Sequence, residues 1–110
     1  MNIYQIPDPV SHKPLFLLCS AFAIRGHMRH LGLNWADKVQ NTVQGTVLYS
    51  ARYPNGAGKL GAISFYCQPE QLAPLTRAWH LAEVCRVALV DEAPQLPGTG
   101  AGLKILGALR

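Results

Sequence analysis

The chain has 110 residues, of which 49% are apolar and 15% charged. That is the length of one domain, with enough apolar content for a core without disulfide or metal staples, and it excludes disorder over most of the sequence. The formal charge is +4, and the whole excess lies in residues 1–66, where six cations face two acids. This imbalance favours an acidic partner, but it falls short of the basic stripe of a committed nucleic-acid binder.

The first expected element is a short strand, Asn2-Ile3-Tyr4-Gln5-Ile6. Asp8-Pro9 ends it, because proline lacks a donor and restricts the residue before it. Residues 14–31 then read as the main helix. Ser11 suits its N-cap, Pro14 its first turn and Gly32 its stop. Leu17, Ile24, Met28, Leu31 and Trp35 recur at helical spacing, with Ala21 filling the gap. Arg25, His27, Arg29 and His30 gather in the last turns, where cations complement the helix dipole. Gly26 weakens the pattern. Leu15 to Ile24 is apolar on nearly every side, which fits deep burial or a strand running into a shorter helix.

Leu15 to Ala23 also has the character of a signal-peptide core, with Ala21-Phe22-Ala23 as a small-x-small site. The segment before it contains Asp8 and prolines and is not clearly basic, so no signal is expected. The apolar run is shorter than the roughly 20 residues that a spanning helix needs.

Thr42 to Cys67 carries the clearest pattern. Val43, Val47, Tyr49 and Tyr53 fall on one parity; Gln44, Thr46, Ser50 and Arg52 fall on the other, with Leu48 the exception. Ile63, Phe65 and Cys67 alternate with Ala62, Ser64 and Tyr66. Two half-buried strands joined at Asn55-Gly56 make a β-hairpin. Gln68-Pro69-Glu70 opens a helix that Pro74 is expected to stop near Ala73; a kinked helix reaching Glu83 is the competing reading. Residues 84–90 are β-branched and read as a strand. Residues 94–102 read as a Gly/Pro-rich loop, before an apolar tail at 103–110 that packs back or docks on a partner.

Motifs for chemistry are weak. Gly56-Ala57-Gly58-Lys59 lacks a P-loop's other parts: Tyr53 stands where the first glycine belongs and Leu60 where the hydroxyl belongs. In Gly98-Thr99-Gly100-Ala101-Gly102 the third glycine falls one residue early for a dinucleotide fingerprint. His27 and His30 share a helix face and with a cysteine or His80 make a zinc set on paper, but no CxxC accompanies them. Cys67 or Cys85 with His80 is a nominal nucleophile–base pair. Cys19, Cys67 and Cys85 are odd in number and widely spaced, and read as three buried thiols in a reducing compartment, hence a cytoplasmic location.

The expected fold is α+β in a single domain, residues 1–110. A small antiparallel sheet is built on a central β-hairpin at about 42–67 and joined by strands at 2–6 and 84–90. One main helix, about 14–31, packs on one face. No cofactor, metal or membrane is expected, and no catalytic residue can be named. The expected function is a non-catalytic macromolecular interaction module that occupies a surface on a protein partner, the format of small phage- and plasmid-type accessory and inhibitor proteins. The alternative is a DNA- or RNA-binding regulator; the candidate surface is Arg25, Arg29, Tyr49, Arg52, Tyr53 and Lys59, whose rings can stack and whose cations can meet phosphates. A small Cys/His enzyme is the third reading, and the apolar tail is a candidate for self-association.

Overall fold

A computed structural model describes residues 1–55 and 59–87. They form six strands and two helices: β1 (Asn2–Ile6), β2 (Leu15–Cys19), α1 (Ile24–Leu31), β3 (Asp37–Val39), β4 (Val47–Pro54), β5 (Leu60–Cys67), α2 (Pro69–Trp79) and β6 (Ala82–Arg86). The strands make one sheet in the order β3-β1-β2-β5-β4-β6. Every pairing is antiparallel. The fold is therefore mixed α+β, and none of its described helices is long and apolar enough to cross a membrane.

Alternation along the strands sorts the side chains between two faces. Tyr4, Leu17, Phe65 and Tyr49 stand in one cross-strand row. They are buried on the face that also receives Leu75 and Trp79 of α2, and Ile24, Met28 and Leu31 of α1 pack against the same cluster. Both helices thus cover one side. Phe65 is the centre of this side: its ring meets Trp79 edge-on at 6.0 Å and is tilted against Tyr49 at the same distance. Such aromatic pairs add about 0.5–1.5 kcal/mol each beyond the area they bury. On the opposite face Phe16 and Leu48 flank Tyr66 in a second row. Both are buried as well, at 2% and 7% exposure.

The hairpin expected from Tyr49, Tyr53, Ile63, Phe65 and Cys67 is present as β4–β5, with Val47 opposite Cys67 and Pro54 opposite Leu60. The Asn55 N–H donates to the Lys59 carbonyl at its tip. The expected strand at 2–6 also joins the sheet, and of the one expected near 84–90 the described part joins it as Ala82–Arg86, residues 88–90 lying outside the described residues. Val43 lies before β4 and is exposed.

Three expectations need correction. The 14–31 helix does not exist as such: Leu15–Cys19 is a strand between β1 and β5, and the helix is only Ile24–Leu31. An inner strand buries both faces, so Leu15, Phe16 and Leu17 are all buried and the alternation disappears. Ser11 caps no helix; it bonds to Asp8 in the preceding turn. Trp35 lies beyond α1, which ends at Gly32 in the left-handed region at φ 71°.

The second correction concerns α2, which passes through Pro74 and ends at Trp79. Proline removes one bond to the Glu70 carbonyl. That carbonyl belongs to an exposed residue and can be hydrated, while burial of Leu75, the next residue, and of Trp79 at the helix end stabilises the continued helix. His80 then takes a left-handed conformation at φ 53°, and the Leu81 N–H donates back to the Thr76 carbonyl. Third, Cys19 and Cys67 are buried but Cys85 is exposed on the edge strand β6. The loop expected at 94–102 and the tail at 103–110 lie outside the described residues.

A buried polar knot ties the β1–β2 loop to α2. The Asp8 carboxylate is 3% exposed. One oxygen accepts the N–H groups of Val10 (2.7 Å) and Ser11 (3.0 Å), and the other accepts the Ser11 hydroxyl (2.6 Å) and the Gln71 amide (2.8 Å). Gln71 in turn accepts the Gln68 N–H at the start of α2. Burial pushes the Asp8 carboxyl up, but these hydrogen bonds together outweigh it and hold the group below its usual range.

Candidate functional site

The six candidate surface residues do not come together. Tyr49 and Tyr53 are 7% and 3% exposed and face the helices. They cannot stack a base from outside, which corrects the expectation that they do. Burial raises the pKa of both phenols. Arg52 alternates to the opposite face, where it forms an exposed ion pair with Glu83 at 3.6 Å. Lys59 is exposed at the hairpin tip.

Arg25 and Arg29 remain, on α1. The Ser20 hydroxyl accepts the Ala23 N–H at 3.0 Å, and the His27 N–H donates to the Ala23 carbonyl. The turn at 21–23 therefore leads straight into the helix. Ile24, Met28 and Leu31 then recur at helical spacing on the side that packs on the core. Arg25 and Arg29, at i and i+4, fall on the outer side, and Phe22 lies in the turn that precedes the helix. Arg25 and Arg29 are exposed, and Phe22 is 95% exposed. No acid lies in α1, and His30 adds a further exposed polar ring.

Beneath the helix, His27 Nδ1 and the Tyr53 hydroxyl share a hydrogen bond of 2.9 Å, and the His30 ring lies 6.4 Å from the Tyr53 ring. Burial, then the charge of His30, hold His27 below the usual histidine range. Tyr53 precedes the tip by two residues, so α1 lies over the tip end of the hairpin, where Lys59 also sits. Arg25, Arg29 and Lys59 share that end of the molecule; Arg52 does not share their face.

The thiols offer no evident nucleophile on the core side. Cys67 is fully buried and its thiol is pushed up to about 12 by burial, with Asp8 and Glu70 adding. It is protonated at neutral pH and weak as a nucleophile. Burial also raises Cys19. Cys85 shares a hydrogen bond of 3.0 Å with the Ser50 hydroxyl. His80, the nominal base, is an exposed residue at the end of α2. Among the described residues no three His, Cys, Asp or Glu side chains are placed to hold a metal ion.

Sequence reasoning missed Phe22, because an aromatic inside the apolar run 15–24 reads as buried. It is exposed because β2 ends at Cys19 and Phe22 falls in the turn before α1. Compared with models of protein families, with curated proteins and with solved structures, the chain matches none.

Proposed function

We propose that this chain is a non-catalytic interaction module whose contact surface is the outer side of α1, and that it acts by occupying an acidic surface on a protein partner. The observation that carries this reading is Phe22, 95% exposed in the turn that leads into a helix with two exposed arginines and no acids. Aromatic and arginine side chains dominate the energy of protein interfaces when they become desolvated. The sheet and the His27–Tyr53 bond hold the helix from behind, so little ordering entropy remains to be lost on binding.

The same cations would also meet phosphates, and salt dependence separates the two partners. Phosphate contacts release counterions, so binding driven by them collapses between about 50 and 200 mM salt. Labelled single- and double-stranded DNA and RNA, titrated at both salts with wild type and with Phe22→Ser/Arg25→Ser/Arg29→Ser, are the test. Weak or absent binding to nucleic acid supports the protein partner, which is then identified by cross-linking from position 22. Tight, salt-sensitive binding lost in the variant moves the partner to nucleic acid. Equal behaviour of wild type and variant in both assays would sink the proposal.

A further inference from the structure

A second site lies away from α1. Gln5, Asp8, His12, Lys13 and Trp35, with two prolines, line an open cleft of about 260 Å³. Its floor is fixed by the Asp8 knot. A carboxylate offers about four acceptor positions, and the four hydrogen bonds from Val10, Ser11 and Gln71 use them. Asp8 therefore shapes the cleft without offering an acceptor to a ligand. The remaining polar groups can all donate: the Lys13 ammonium, the His12 ring, the Gln5 amide and the Trp35 indole N–H. Lys13 pairs with Glu70 at 3.6 Å with both side chains about half exposed or more, and solvent screening leaves an exposed pair of this kind weak.

The walls are polar and apolar in about equal part, the apolar part made by Ile6, the two prolines and Trp35. Trp35 is 39% exposed, far more than Trp79 at 6%. It faces a cleft that also has two proline rings. His12 is held in the left-handed region at φ 62°, a conformation that non-glycine residues seldom adopt. The Lys13 N–H bonded to the Ser11 hydroxyl fixes the chain beside it.

We infer that this cleft binds a planar ring carrying an anionic group, stacked on Trp35 with the anion toward Lys13 and His12, as in a nucleoside monophosphate. The ring uses Trp35 and the prolines, and the anion uses the donors. Two sources share this chemistry: a free nucleotide and the 5′-phosphorylated end of a strand.

The test is titration of the whole protein with AMP, followed by tryptophan fluorescence and calorimetry. Saturable binding is expected with Kd of order 0.1–1 mM, the range for a small ligand in an open site. It is expected to weaken about tenfold or more, the loss of roughly 1.4 kcal/mol, in Trp35→Ala and in Lys13→Glu, and for adenosine or inorganic phosphate in place of AMP. A 5′-phosphorylated oligonucleotide that binds more tightly than both AMP and its 5′-hydroxyl counterpart assigns the site to strand ends; no such gain assigns it to the free nucleotide. Thermal melts of both variants check that the fold persists. No saturable AMP binding up to about 10 mM, or equal binding by wild type and both variants, would overturn the inference. Equal binding of adenosine and AMP would overturn the anionic part.

Discussion

Asp8, His27 and the three cysteines show how one side chain's surroundings set its chemistry. The Asp8 carboxyl is held below its usual range, so its contribution to stability is fully present above the unfolded value, about 3.9, and is lost as pH falls through the lower folded value. Asp8→Ala leaves Gln71 and two backbone donors without their acceptor, and is expected to cost about 2–3 kcal/mol. Urea unfolding at pH 7 and pH 3 checks both points: the difference between wild type and variant is expected to shrink at the lower pH. His27 is also depressed, which for a base means that the unfolded chain takes up the proton first. Stability is therefore complete above about 6.5 and falls as pH drops from there toward the folded value. Thermal melts between pH 5 and 7 are expected to show a smaller slope in His27→Gln than in wild type. For the thiols, Ellman's reagent is expected to modify Cys85 rapidly in the native protein, and Cys19 and Cys67 only after denaturation. Rapid modification of Cys67 in the native state would contradict its position in the core.

The elements show where sequence pattern is informative and where it fails. The β4–β5 hairpin was legible because Tyr49, Tyr53, Ile63 and Phe65 sit on one buried parity with Asn55-Gly56 between the strands. β2 was not, because Leu15, Phe16 and Leu17 are buried on both faces and a continuous apolar run fits a buried helix equally well. The C-terminus of α1 was legible in Gly32, whereas its true start depends on where β2 stops. In α2 the local rule at Pro74 lost to the burial of Leu75 and Trp79. Gly26 tests the local energetics of α1 directly. A Cβ there would meet nothing within 4 Å, so Gly26→Ala is expected to stabilise the protein by about 1 kcal/mol. Chemical denaturation checks this, and a loss of stability would show that the helix packs more closely there than described.

For the whole molecule, both helices lie on one face of a six-stranded antiparallel sheet, and this arrangement sets what is offered to a partner. It takes Tyr49 and Tyr53 into the core, sends Arg52 to the far face and turns Phe22, Arg25 and Arg29 outward. The candidate cations were legible as a basic front half. Their separation by face was not, because it depends on pairings between distant strands and on which side the helices choose. The central claim is that the outer side of α1 is where a partner sits. The most direct measurement is photo-cross-linking in cells, with a photoreactive phenylalanine analogue placed at Phe22 and, as controls, at the exposed Val10 and Leu60. The account predicts a discrete adduct from position 22 alone, lost when Arg25 and Arg29 are replaced by Ser. No adduct from position 22, or the same adducts from all three positions, would contradict it.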